Sequence, residues 1–406
     1  MSKFSQEQHA SPFQLGWRKF SMNILSMSGL VVIIIALFLG ILGYLVTPDE
    51  SPFANRQYLE LTTKKPGFSV LMLKVRLNEP SHKHNFISRM LFGQRPDYRN
   101  VPVDSIGFAG DMVEAYGYSG EKSDALFLNT FNLADVLYAL NPDANIKSDG
   151  QFVSFTTLDG RKLSLPVSEM RMRVMKNNLV KKVFLLGTDR FGRDLLSRLV
   201  IGARVSLSVG FIAVFISLLI GLTLGAVAGY FRGWVDEFIM WLINVVWSIP
   251  TLLLVIAITL VLGKGFWQVF VAVGLTMWVE VARVVRGQVL AVREKEFVEA
   301  ARALGFSSGR IIFWHILPNV FAPVIIISAA NFASAILMEA GLSFLGIGVQ
   351  PPVPSWGTMI KDHYGYIIVD KAYLAILPGL AIMIMVLAFT LVGNGLRDAL
   401  DIKTDS

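Results

Sequence analysis

Few residues in this chain are spaced for covalent chemistry. His82-Lys83-His84 offers two imidazoles to a metal, but without further ligands the expectation is a solvated loop, and no metal site is assigned. Gly117-Tyr118-Ser119-Gly120 misses the spacing of a nucleophile elbow and reads as a turn. No G-x-x-x-x-G-K-[ST] stretch occurs, so the chain does not itself hold ATP by a phosphate loop. Glu339 is the main carboxylate inside an apolar run, where an acid can relay protons. It sits at the end of that run, beside Gly341, Gly346 and Gly348, and is expected to organise an irregular turn instead.

The richest pattern is mechanical. Glu299-Ala300-Ala301-Arg302-Ala303-Leu304-Gly305 is followed by His315-Ile316-Leu317-Pro318. Leu290, Phe297, Ala301 and Leu304 fall on one stripe at helical spacing, with Arg293, Glu294, Glu296 and Arg302 elsewhere. Gly305 can take the left-handed conformation that ends a helix, a second short helix is expected after it, and Pro318 opens the next apolar run. The small paired alanines allow another backbone to approach. Such an element is built to press on a second protein.

The elements that position it are membrane spans. Hydrophobic residues make up 53% of the 406 and charged ones 17%, the balance of a polytopic membrane protein with some soluble mass. A net charge of +7 is modest and suits loops facing anionic lipid, not a nucleic-acid partner. With no cysteine there is no disulfide framework or thiol catalyst. Ile24–Val46, Val205–Phe231, Phe238–Gly263, Ile311–Met338 and Ala372–Leu396 carry no charge and are long enough to cross a bilayer. A sixth span runs from Gly265 to about Val285, with Glu280 and Arg283 spaced to pair.

The first run lacks a cleavage site and is expected to be a signal anchor with its N-terminus inside. Arg283, Arg286, Arg293, Lys295, Arg302 and Arg310 outnumber the acids between them, so that loop is expected in the cytoplasm. Counting spans from it puts both termini inside and 47–204 outside, although Arg171–Arg204 is itself basic.

A second pattern runs Gly187-Thr188-Asp189-Arg190-Phe191-Gly192-Arg193-Asp194, continues through Ser197-Arg198, and ends at Gly202-Ala203-Arg204. Thr188 or Asp189 could cap a helix presenting Phe191, Leu195, Leu199 and Gly202 on one face. Asp189 precedes Arg193, and Asp194 precedes Arg198, in the favourable order for helical ion pairs. The expectation is an amphipathic helix at the membrane surface. A third pattern, Leu337 to Gly348 with Ser343 and Phe344, leads to Pro351-Pro352 and Ser355-Trp356-Gly357. It reads as an irregular outer mouth formed by Glu339, Ser343, Phe344, Gly346, Gly348 and Trp356.

The first pattern resembles the EAA loop of ABC-importer permeases, with His315 standing where isoleucine is general. The second and third resemble C-type permeases of the dipeptide, oligopeptide and nickel importers, loosely over the first 46 residues and closely over 187–406. The resemblance implies an all-α polytopic membrane protein of the type I ABC-importer permease fold, with six transmembrane helices. It makes Glu299, Ala300, Ala301, Arg302, Gly305 and Pro318 the coupling element for the ATPase subunits. It also implies a homologous B-type permease partner, two P-loop ATPase subunits carrying ATP and Mg, and an extracytoplasmic binding protein. This chain itself binds no cofactor.

The departure is 47–186, where the family has a short connection and this chain inserts about 140 residues, enough for a small domain. Tyr58–Thr63, Phe68–Leu77, Gln151–Thr157 and Lys162–Pro166 suggest strands, the last two about an Asp159-Gly160 turn. Phe131–Leu140 suggests a helix capped by Thr130 or Asn132. The insertion is expected to be an extracytoplasmic α+β domain. The division is then a cytoplasmic tail (1–22), first span (23–46), insertion (47–186), surface helix (187–204), core of five spans (205–396) with a coupling loop near 286–318, and cytoplasmic tail (397–406).

Peptide import through the bacterial inner membrane is the expected function; nickel or another small solute is the alternative cargo. A secondary transporter would need ionisable groups or broken helices at the midplane. A membrane-anchored receptor or enzyme would leave five spans and a coupling loop unexplained.

Overall fold

The computed structural model describes residues 12–81, 85–120, 128–141, 145–263 and 265–400. His82-Lys83-His84 lies outside the described residues. The chain divides into two compact units, 1–40 with 202–406, and 41–201.

The first unit is helical. Among the described residues, five helices are long and apolar enough to cross a membrane: Ile24–Val46, Leu195–Phe231, Phe266–Arg293, Ser308–Phe344 and Tyr373–Leu400. A sixth apolar stretch, read from sequence as one span over Phe238–Gly263, is two helices, Gly233–Trp247 and Thr251–Leu262, bent by 90°. Pro250 is the cause: it lacks an N–H, and it drives Ile249 out of helical geometry. Residues 12–22, expected as a tail, form a helix whose Gly16 lies beside Ala399 of the last helix.

Close packing depends on glycine spacing. Gly221, Gly225 and Gly229 lie one above another along the Leu195–Phe231 helix. A Cβ on them would meet Val281, the Ala282 carbonyl and Val289 in turn, while Gly274 abuts Ile216. The two helices therefore run in the same direction. The bent pair connecting them packs first near Ala228 and Ala282, through Ile239 and Ile243, then near Val209 and Phe270, through Val255. It returns along their length.

The second unit is α+β. A five-stranded antiparallel sheet has the order β4 (Leu128–Asn132), β3 (Met112–Gly117), β2 (Tyr98–Ala109), β1 (Phe68–Arg76) and β8 (Leu179–Phe184). A three-stranded sheet joins β5 (Lys147–Ser148), β6 (Phe152–Thr156) and β7 (Lys162–Pro166). β1 is an interior strand, paired with β2 and β8, and is buried on both faces. Leu73 and Val75 enter the main core, and Val70 and Met72 pack with Tyr58, Leu61 and Phe184.

Two local expectations fail. Tyr58–Thr63 is a 3₁₀ turn at Leu59–Leu61, not a strand, because its backbone is taken up by the 187–194 loop. The Phe131–Leu140 helix shrinks to Leu133–Leu137. Asn132 caps it, accepting from the Ala134 N–H at 2.9 Å, and Phe131 stays in β4.

Candidate functional site

The coupling element forms a helix over Glu296–Ala303. Gly305 has φ 76°, its N–H donates to the Arg302 carbonyl at 3.0 Å, and the Phe306 N–H reaches the Ala301 carbonyl at 3.2 Å. This is the double hydrogen bond of a left-handed helix stop, open to glycine without strain. Only Val298 and Ala301 face inward, onto Val289, Val292, Ile311, Ile312 and Ile316. The expected stripe is therefore shifted: Phe297 and Leu304 are exposed, the latter at 74%. Glu299, Ala300, Arg302 and Leu304 are all left facing outward.

Charged neighbours hold this helix's base. Arg286 donates to both carboxylate oxygens of Asp236, at 2.5 and 2.6 Å, and Arg232 pairs with Glu294. Arg293 donates to the Tyr230 carbonyl at 2.7 Å. No separate second short helix follows. Ser308 opens the next long helix, with a wide π-type stretch over Ile311–Ile316 before Pro318, where the Leu317 N–H donates to the carbonyl five residues back. That helix, Ser308–Phe344, is 37 residues and runs from the coupling element to the glycine-rich turn, about 55 Å at 1.5 Å per residue.

Glu339 lies at the far end of it, fully buried. Ser343 donates to one carboxylate oxygen at 2.8 Å and Ser206 to the other at 3.2 Å, while the Val349 N–H donates to the Ser343 hydroxyl at 3.1 Å. Gly348 and Gly357 leave no room for a Cβ against Ser343 and Ala340, and buried Trp356 covers Gly202. The structure thus brings together Glu339, Ser343, Gly348 and Trp356, adding Gly202 from the second pattern and Ser206 just beyond it. Phe344 and Gly346 stand at the edge, Phe344 against Tyr364 and Gly346 beside Lys361. The irregular backbone starts only at Leu345, because Gly341 stays helical. The carboxylate, satisfied by hydroxyls, is a pin between two helices and a turn.

The second pattern departs from expectation. Residues 187–194 are a tight loop, not a surface helix, and the helix starts at Leu195 and runs unbroken to Phe231. Asp189, Arg193, Asp194 and Arg198 are all buried. The Asp189 carboxylate accepts from the backbone N–H groups of Phe191 and Arg193 at 2.8 and 2.9 Å, and from Arg193 Nε at 2.6 Å. Arg198 Nε lies 3.7 Å from it. Asp194 caps the helix through Ser197 N–H and Oγ, at 2.7 and 2.6 Å, and does not pair with Arg198 as its spacing suggested. The loop is zipped to 58–64: Thr188 hydroxyl donates to the Leu61 carbonyl, and Tyr58 N–H to that of Phe191 at 3.1 Å. A Cβ on Gly187 or Gly192, both at positive φ, would overlap the Lys64 or Tyr58 carbonyl. Arg204, further along the helix, packs its backbone on Gly40.

Burial pushes the Asp194 carboxyl above the ordinary carboxylate range, with Ser197's hydrogen bonds and Lys182 pulling it down and Asp49 adding to the rise. Its second oxygen, Oδ2, is buried without a hydrogen bond among the described residues.

Glu280 and Arg283, whose spacing allows a pair, form no ion pair with each other among the described residues. Arg283 lies over the Trp247 ring, 3.4 Å from its centre, and Glu280 lines a small cavity with Trp247, Thr251, Thr276 and Ser334. The sequence offered no signal for that cavity, which depends on the bend at Pro250. The glycine ladder at 221, 225 and 229 was legible as small residues every fourth position, and was missed.

Residues 221–406 match the model of the binding-protein-dependent transport system inner membrane component, and residues 11–63 that of the N-terminal transmembrane domain of oligopeptide transport permease C. A dipeptide transport system permease protein of Alkalihalophilus pseudofirmus is 45% identical over 220 residues, covering 54% of this chain and 72% of that protein. The chain belongs to this permease family. It is a permease subunit of an ABC importer, a transport component and not an enzyme. A glutathione transport system permease protein of Pectobacterium atrosepticum is 41% identical to the permease over 221 residues, covering 54% of it and 73% of the relative. In the permease, the Glu296–Ala303 helix and the glycine-rich turn both fall inside the matched core, and most of the α+β unit falls outside it.

Proposed function

We propose that this permease imports short peptides, forming half of a translocation path with a homologous B-type subunit. Relatives that carry dipeptides and glutathione by name support the cargo class. Two partner P-loop ATPases supply ATP and Mg, and an extracytoplasmic binding protein delivers the peptide. The single observation that carries the coupling is the outward face of Glu296–Ala303, where Glu299, Ala300, Arg302 and Leu304 stay exposed on a helix pinned at its base. ATPase closure would push this face, and the long Ser308–Phe344 helix would carry the movement to the Glu339 cluster.

Six crossings fit this reading, since the bent pair returns between two parallel helices. Six place both termini and the coupling helix in the cytoplasm, and 47–194 outside the inner membrane. The α+β unit then faces the binding protein, and we assign it a docking role.

Replacing Gly305 with valine tests the coupling. At φ 76° a β-branched residue is strained, so the helix stop and the outward face should distort. Peptide uptake and substrate-stimulated ATP hydrolysis by the reconstituted complex should fall about tenfold, with normal insertion. Wild-type coupled turnover in Gly305→Val would refute the role.

A further inference from the structure

The surface helix expected over 187–204 is instead a loop followed by the start of the long Leu195–Phe231 helix, but another segment has the properties of one. Residues Phe86–Phe92 form a short helix. Phe86 is 67% exposed, Ile87 64%, Leu91 40% and Phe92 68%. At about 100° per residue, Phe86, Ile87 and Leu91 share an arc of about 140°. Arg89 lies off that arc and is spent internally, its guanidinium 2.7 Å from Glu50. So much apolar surface on seven residues is unusual for a domain in water.

Its position says what covers it. The last turn of the Ile24–Val46 helix belongs to the same compact unit as this segment. Gly93, which ends the short helix, sits against the Tyr44 ring, where a Cβ would lie 3.1 Å from two ring carbons. The Gln94 N–H donates to the Glu50 carbonyl at 2.8 Å, and the Phe53 N–H to the Tyr44 hydroxyl at 3.0 Å. Tyr44 is two residues from the end of a membrane-spanning helix, a depth of about 3 Å along its axis. Tyr44 is itself buried, and the end of the apolar run at Val46 sets the level of the boundary between acyl chains and headgroups. A helix about 10 Å across that touches this ring lies in the boundary layer.

We propose that Phe86–Phe92 is an interfacial helix in the leaflet at the Val46 end of the first span, with Phe86, Ile87 and Leu91 in lipid. It rests on Ile24–Val46 being a span. The occupant of the apolar arc is the bilayer, not a protein.

The chain has no cysteine, so single cysteines report cleanly in an otherwise cysteine-free complex. Ile87→Cys, Ser148→Cys and Phe38→Cys would each carry an environment-sensitive fluorophore in phosphatidylcholine vesicles. The Ile87 label should be quenched several-fold more by lipid with a shallow nitroxide than by aqueous iodide, and the Ser148 label the reverse. An Ile87 label as open to iodide as Ser148, or shielded from both quenchers by protein, would overturn the proposal. The Phe38 label tests the premise separately: failure of a deep nitroxide to quench it would refute the span itself.

Discussion

Two motifs use nearly the same residue types to opposite ends. The Glu296–Gly305 and Gly187–Arg198 segments are both built of acids, arginines and glycines. In the first, Glu299 and Arg302 face solvent, and two small side chains, Val298 and Ala301, tie the helix down. In the second, Asp189, Arg193 and Arg198 are buried; backbone N–H groups take one Asp189 carboxylate oxygen and the Arg193 side chain takes the other. Charges satisfied inside the chain hold it together; those on Glu299 and Arg302 are left exposed. Spacing alone does not distinguish them, since Asp189 and Arg193 stand at the same interval as an exposed helical ion pair.

The contrast predicts separable losses. Asp189→Ala should have the largest effect, because it leaves Arg193 and Arg198 buried without their carboxylate, a loss of about 3–5 kcal/mol. Thermal unfolding of the purified complex and protease resistance of the α+β unit should both collapse. If Asp189→Ala lowered uptake while stability held, the loop would be a functional surface and the comparison would fail.

Ala300→Phe should do the reverse. Ala300 is exposed, so stability should change by no more than about 0.5 kcal/mol. The ATPase subunits should no longer co-purify, and uptake should drop about tenfold. Full retention of the ATPases would show that this face is not the docking surface.

A smaller loss follows from trimming the α+β unit. β1 and β8 are antiparallel neighbours, with Leu71 opposite Lys181, so a two-residue turn joining them removes most of the domain and spares the 187–194 clasp. The core should assemble with its ATPases. Uptake should fall several-fold at limiting substrate, through weaker binding-protein association. Equal uptake would reduce the domain to a spacer.

The smallest effect concerns Asp194. Its folded carboxyl holds a proton more tightly than an unfolded one, so its contribution to stability is present at low pH. That contribution is lost as pH rises from the ordinary carboxylate range through the raised value. Asp194→Asn keeps an oxygen to accept from Ser197 and should flatten this part of the stability–pH curve. An unchanged slope would show that Asp194 does not titrate there.

The spans were legible because lipid demands about 20 apolar residues in a row, a signal local to the chain. Ile24–Val46 emerged with the boundaries read from sequence, and Phe231 closed its helix as expected. The bend at Pro250 was also local, yet unbroken apolarity on both sides masked it. β1 was found from composition, but β2, β3 and β8 were not, since their patterns depend on which face another strand covers. Lys162–Pro166 was found because a glycine turn marks its start.

The sequence by itself determined the membrane class, the number and place of its apolar runs, and a helix stop at Gly305, because hydrocarbon length and backbone φ act on a few adjacent residues. Only the tertiary structure decided which charges are buried. Whether Asp189 meets water or the backbone of its own loop depends on 58–64 arriving from over a hundred residues away. The same holds for Phe86–Phe92, whose place is set by Gly93, at its end, against the Tyr44 ring.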